Sequence, residues 1–339
     1  MAMKLLFVGL GSVGQRHLQN VMQIMPEAEL YAFRKSGSSQ VIKDCKVLDK
    51  PFGEYYKSLV VVRDLDAALR IKPDAVIITN FSSAHVETAI AFAKAGCHLF
   101  IEKPLGLSLA GIPELERIAK EKKLAVMVGY QLRFSPLYQK VRKIVKDNAD
   151  KLVSASFEWG TFVPLHHPYE DYSKNHAARE ETGGGVVMQL IHEVDVLYDL
   201  FGMPRRTFGV GGKLSALDWT GQDTIMAILD FGKAKPLPVH LYLSMAQTKE
   251  TRRWRFQFTD KTLFVDLGQN SFELFDDKGK PIELVKDETI RNQFFIDEMR
   301  LFLGCVAGKR RPLVTLADGR ASLEMALGIK KAVQKGGWI

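Results

Sequence analysis

The sequence predicts an α/β protein in two parts: a parallel-sheet domain, then an α+β domain with a large open, mainly antiparallel sheet. Three observations predict it. Residues up to about 125 alternate short apolar runs with segments of helical period, as βαβ units do. A glycine pattern, Gly9-Leu10-Gly11-Ser12-Val13-Gly14, separates the first apolar run from the first helical segment. From Leu152 onward longer alternating segments replace this rhythm.

Lys4 to Val8 reads as the first strand. Gly14 to Met25 reads as a helix, with Leu18, Val21, Met22 and Met25 on one face and Pro26 ending it. Leu30 to Phe33 and Asp74 to Thr79 are strands. Ser82 or Ser83 caps the next helix, which Gly96 ends. Cys97 to Ile101, a helix from Ser108 to Lys123, and the strand Ala125 to Gly129 follow. Strands of the second part are Leu152 to Phe162, Thr224 to Phe231, Val239 to Ala246, Arg253 to Thr259 and Thr262 to Asp266. One helix, Gly185 to Phe201, interrupts them, and Asn292 to Val306 and Leu316 to Val333 return to helix. The domains are placed at 1–125 and 126–339, with the last helices able to pack back on the first.

Composition narrows the class. The 339 residues are 46% hydrophobic and 25% charged, a soluble globular profile. No apolar stretch approaches the ~20 residues of a membrane span. The first residues mimic a signal peptide only faintly, since the apolar run turns straight into glycines. Cys45, Cys97 and Cys305 are odd in number and far apart, which suits a reducing cytoplasm. The net charge of +8 favours anionic partners such as phosphorylated cofactors. Nucleic acid is not expected: the basic residues are scattered, and Lys309-Arg310-Arg311 reads as a solvated turn.

The glycine pattern follows a strand and opens a helix, which is the context of a Rossmann dinucleotide-binding domain. Gly9 allows the turn, Gly11 lets backbone approach a pyrophosphate, and Gly14 allows close helix–strand packing. Ser12 and Val13 then present helix N-terminal N–H groups to phosphate. About 20 residues on, where an acid would bind the ribose 2′-hydroxyl of NAD, stand Arg34, Lys35 and Ser36. Two cations and a hydroxyl suit a 2′-phosphate, so NADP is favoured. If Arg34 only stacks on adenine, either NADP or NAD is admitted.

Glu102-Lys103-Pro104 closes the run Cys97 to Ile101, which places a lysine at the carboxyl end of a buried strand. Together with the glycine turn and His192-Glu193-Val194-Asp195, it resembles one family across nearly the whole chain. These are the oxidoreductases named for glucose–fructose oxidoreductase, inositol dehydrogenase and the rhizopine-catabolism protein MocA (Gfo/Idh/MocA). The resemblance implies that Lys103 lies by the nicotinamide and the substrate hydroxyl, after Glu102, and allows a cis Lys103–Pro104 bond. It also implies that Asn80, Ser82 and His85 belong to a loop at the nicotinamide ribose, with Asn80 and Phe81 in place of a usual Thr-Pro. Tyr130-Gln131-Leu132-Arg133-Phe134 is similar to a segment beside the active site, with Gln131 where Asn is usual.

His192 matches the family histidine, but Met188 stands where an Asp is common, and Gln189 is the nearest polar residue. On a continuous helix Met188, His192, Asp195 and Asp199 share a side, and Asp195 can orient the imidazole. Lys103 and His192 are therefore the catalytic candidates. Either could carry the proton. Arg133, Tyr172, Met188, Gln189 and Asp195 are the candidate substrate contacts, Tyr172 from a polar loop starting at Pro164 that includes His166 and His167. No metal is expected, His166, His167 and His176 lacking a second ligand pair.

The activity implied is an NAD(P)-dependent oxidoreductase, passing hydride between nicotinamide and a hydroxyl or ketone carbon of a sugar, cyclitol or nucleotide-sugar. Two alternatives stay open: a non-catalytic dinucleotide sensor, and a reductase of a non-sugar carbonyl or a tetrapyrrole. The alternating sheet suggests a homodimer or homotetramer.

Overall fold

The computed structural model describes residues 2–35, 40–43, 46–166, 169–232 and 234–339, with only the backbone at position 176. Ser36, Cys45, His167 and Pro168 lie outside the described residues. The chain divides into two compact units. The first joins Met1–Gln131 to Arg291–Arg320, and the second joins Leu132–Ile290 to Ala321–Ile339. The first unit thus runs past the expected boundary at 125.

The first unit carries a six-stranded sheet in the order β5-β2-β1-β6-β7-β8, every pair parallel. Its strands are β1 (Lys4–Val8), β2 (Glu29–Phe33), β5 (Val60–Val62), β6 (Ala75–Ile78), β7 (His98–Glu102) and β8 (Val126–Gly129); a small hairpin supplies β3 (Val41–Lys43) and β4 (Lys46–Leu48). Every residue of β6 and β8 is buried, as expected of strands covered on both faces. The helices are α1 (Ser12–Ile24), α2 (Phe52–Tyr55), α3 (Leu65–Arg70), α4 (His85–Lys94) and α5 (Ile112–Glu121). α3 is started by Asp64, whose side chain accepts from the Ala67 N–H at 2.7 Å.

The second unit begins with α6 (Pro136–Asp147), capped by Ser135 and opened by a proline at the first position. It holds an eight-stranded sheet in the order β10-β11-β12-β9-β13-β14-β15-β16. These are β9 (Leu152–Phe162), β10 (Arg206–Gly212), β11 (Thr224–Asp230), β12 (Pro238–Ser244), β13 (Ala246–Phe258), β14 (Lys261–Asp266), β15 (Ser271–Asp276) and β16 (Pro281–Lys286). Only β12 and β9 pair in parallel, so the mainly antiparallel open sheet is as expected. Alternate residues on one face are buried; on the other, Met226, Ile228, Phe264 and Leu284 stand exposed.

The helix expected over Gly185 to Phe201 is two. α7 (Val186–Gln189) ends where Leu190 leaves helical geometry (φ −98°, ψ 27°), and α8 (His192–Phe201) begins two residues later. The apolar pattern runs unbroken through Leu190 and Ile191, so nothing in it marks the kink. The last helices are α9 (Arg291–Val306), counted with the first unit, and α10 (Leu316–Lys335), whose first five residues also belong there. Among the described residues no helix is long and apolar enough to cross a membrane.

Buried ions lock α6 to α8. Arg133 donates to both oxygens of Asp195, at 2.7 and 2.8 Å, and lies 2.7 Å from Asp199. Burial works against the Arg133 charge, but the bonds to Asp195 and the field of both carboxylates raise its pKa beyond its usual range. Ser322 of α10 donates to Asp195 at 3.0 Å, and Tyr138 and Arg142 hold Asp199. Arg133→Leu strands a buried carboxylate and is expected to cost about 3–5 kcal/mol in urea unfolding. Adding Asp195→Leu should restore part of that loss.

Candidate active site

Because all six strands of the first sheet are parallel, the loops after β1, β2, β5, β6 and β7 leave at one edge, the edge where open α/β sheets bind ligands. The glycine turn follows β1. Gly9 has φ +83°, and a Cβ there would lie 2.9 Å from the Asn80 backbone. A Cβ on Gly14 would sit 2.6 Å from both the Gly9 carbonyl and Thr79 Oγ1. Thr79 in turn donates to that carbonyl at 2.7 Å, bracing the turn. A Cβ on Gly11, by contrast, would meet nothing within 4 Å. Gly11 is also the N-cap of α1 and offers no side-chain acceptor, so the N–H groups of Ser12 and Val13 face a cradle that a pyrophosphate fits.

The loop after β2 carries Arg34, buried with its guanidinium 4.6 Å from the Phe52 ring centroid, and Lys35, exposed. Ser36 is outside the described residues. After β6, Asn80 donates to Thr88 Oγ1 at 3.0 Å, while its Oδ1 is buried without a hydrogen-bond partner. A ribose hydroxyl would satisfy that acceptor. Ser82 is buried in the turn before α4. His85 is a brace: its ring nitrogens lie 2.8 Å from the Pro104 carbonyl and 3.0 Å from the Asn80 carbonyl. Burial pushes the His85 pKa down, against the pull of those carbonyls.

Glu102 ends β7 in full burial. One of its oxygens accepts the Lys103 amide N–H at 3.0 Å, and the other lies 2.7 Å from His17 Nε2. Burial alone would raise the carboxyl pKa; the His17 bond and the Lys103 charge outweigh it and hold Glu102 below its usual range. His17 is wholly buried on α1, edge-on to Phe100 at 5.0 Å and Phe295 at 5.7 Å. The peptide bond after Lys103 is cis. Gln131 is buried at the end of the first unit.

His192 opens α8 in the second unit, 6.4 Å from the Trp159 ring centroid and tilted 34° to it. Arg252 lies against the same indole, its guanidinium carbon 3.8 Å from the ring centroid. Glu193 holds that guanidinium at 2.7 and 3.0 Å. The His-Glu-x-Asp string thus sends its two acids to two arginines. Asp195, expected to orient the imidazole, instead faces Arg133 and Ser322, and Arg133 is committed to that pair. Met188, expected beside substrate, is packed in α7 with 1% exposure. Gln189 donates to the Gly183 carbonyl, and Tyr172 accepts the Asp218 N–H at 3.1 Å. Sequence reasoning missed Trp159, Arg252 and the role of His17. Trp159 and Arg252 stand directly opposite each other on paired strands and carried no motif. Among the described residues no group of three or more His, Cys, Asp or Glu could hold a metal ion.

Two matches to known proteins decide the family. Residues 3–130 match the oxidoreductase family, NAD-binding Rossmann fold, and residues 167–339 match its C-terminal alpha/beta domain. The chain belongs to the Gfo/Idh/MocA oxidoreductase family. It is 23% identical to scyllo-inositol 2-dehydrogenase (NAD(+)) of Bacillus subtilis strain 168, over 97% of this chain and 93% of that protein. Its fold is similar to UDP-N-acetylglucosamine 3-dehydrogenase GnnA from Acidithiobacillus ferrooxidans (TM-score 0.75, 21% identity, 99% of both chains). It is also similar to the WlbA dehydrogenase from Bordetella pertussis in complex with NADH and UDP-GlcNAcA (TM-score 0.79, 17% identity, 100% and 98% of the chains).

In this Gfo/Idh/MocA oxidoreductase the His17–Glu102 pair is bonded to the Lys103 amide at the end of β7. His17→Phe leaves Glu102 buried without its partner and is expected to lower stability by about 3 kcal/mol. In steady-state kinetics it should lower kcat more than it raises the cofactor KM.

Proposed function

We propose that this protein is an NAD(P)-dependent dehydrogenase acting on a sugar, cyclitol or nucleotide-linked sugar. The observation that carries the reading is the shared sheet edge: glycine turn, Asn80 and Lys103 all leave the carboxyl ends of parallel strands. When bound, a nicotinamide dinucleotide supplies hydride exchange at a carbon bearing a hydroxyl or ketone. The glycine turn and the first N–H groups of α1 would hold its pyrophosphate, and Asn80 a ribose hydroxyl. The names of the relatives, inositol and nucleotide-sugar dehydrogenases, support the substrate class.

The chain's own residues would then handle the proton. Lys103, with Glu102 ionised beside it, stabilises negative charge developing on the substrate oxygen. His192, the second catalytic candidate, carries the proton on this reading. Trp159, backed by Arg252, offers an aromatic plane of the kind that lines sugar sites. NADP is the preferred cofactor on this reading, from Arg34 and Lys35 in place of an acid. The same reading takes the exposed face bearing Met226, Ile228 and Phe264 as the surface through which copies of this chain associate; Phe264→Glu should lower the mass measured by light scattering.

Lys103→Met tests the catalytic role. Turnover of NADPH or NADH with a panel of keto-sugars and inosose-type ketones should fall by about 10²–10⁴-fold, with cofactor affinity within a few-fold of wild type. Undiminished turnover would exclude Lys103 from the chemistry.

A further inference from the structure

Beside the glycine turn, two adjacent strands of the first sheet end in arginine. β2 and β5 run parallel with Phe33 opposite Val62, so the next residues, Arg34 and Arg63, leave the sheet side by side. The backbone confirms the pairing: the Arg34 N–H donates to the Val62 carbonyl at 3.1 Å. Arg63 then turns back, and its Nη1 donates to the Arg34 carbonyl at 3.2 Å. Arg34 is buried, with its guanidinium over the Phe52 ring, and Arg63 is exposed.

We infer that Arg34 and Arg63 form a two-strand clamp for a phosphate monoester on the adenosine ribose, the 2′-phosphate of NADP. This rests on the proposed dinucleotide reading and adds a residue that no glycine-spacing rule locates. Two like charges gathered at one strand end repel each other. Burial first, and Arg63 next, push the Arg34 pKa down. A dianion relieves that cost, and a guanidinium fork suits phosphate oxygens better than a lone hydroxyl. The nearest carboxylate in sequence, Asp64, turns one oxygen into the start of α3, where it accepts the Ala67 N–H. The end of the second strand is also where the ribose 2′-position is read in this fold.

Calorimetric titration of the full chain with adenosine 2′,5′-bisphosphate and with 5′-AMP isolates the contribution of the 2′-phosphate. Wild type should bind the bisphosphate at least tenfold tighter than AMP, the worth of one or two charge-assisted bonds. Arg63→Ala, at an exposed position, should remove roughly tenfold of that preference and leave AMP binding within twofold. Arg63→Lys should fall between, keeping the charge and losing the fork. If wild type prefers the bisphosphate but Arg63→Ala keeps the whole preference, the Arg63 assignment fails and the NADP reading stands. If wild type binds the two ligands equally, the NADP reading itself fails, and the clamp with it.

Discussion

A carboxylate buried at the end of a parallel strand loses its water and must be repaid by donors, or it takes up a proton. Glu102 is that carboxylate, and much of the first unit is arranged around it. β8 passes alongside with Gly129 in register, where a Cβ would come within 3.2 Å of the carboxylate and 3.0 Å of the Phe100 ring. The imidazole of His17 reaches it from α1, and the amide of Lys103 from its own chain. With both bonds made, the carboxylate stays ionised next to the lysine. α1, which the glycine turn opens, is thereby tied to the strand end that carries Lys103. An apolar residue at 102 would fill the space and lose that link.

The second unit solves a similar problem by pairing. α8 is buried nearly all round: Glu193, Val194, Asp195, Val196 and Leu197 are each at 1% exposure or less. A helix so placed cannot carry acids unless each meets a cation. Asp195 reaches Arg133 in the segment before α6, and Glu193 reaches Arg252 on β13. Burial raises the Glu193 carboxyl pKa while Arg252 opposes it, so that pair depends on its geometry staying tight. The consequence for the site is indirect. Glu193 fixes Arg252, Arg252 lies on Trp159, and Trp159 lies beside His192.

Much of this architecture was legible because burial and period agree in it. β6 and β7 read as apolar runs, and the glycine turn sits between a strand and a helix. What escaped reading was polar and tertiary. On α1 the polar residues Gln15, His17 and Asn20 are all buried. Each has a partner far along the chain: Gln15 accepts from the Ile42 N–H and Tyr56, His17 meets Glu102, and Asn20 meets Asn292. No periodicity in one helix can announce such partners. The kink at Leu190 was hidden for the opposite reason: both short helices are buried, so their apolar pattern continues across the break.

The same distinction bears on cofactor choice. A spacing rule finds Arg34 because it counts along one chain segment from the glycines. It cannot find Arg63, which is 29 residues further on and becomes a neighbour only when β5 pairs with β2. Specificity for a phosphate needs convergent donors, and convergence is a property of the sheet. A chain of this family could therefore keep its glycines and its residue after β2 and still change its preference through the strand that pairs beside it. In this chain both of those strand ends carry an arginine, Arg34 after β2 and Arg63 after β5.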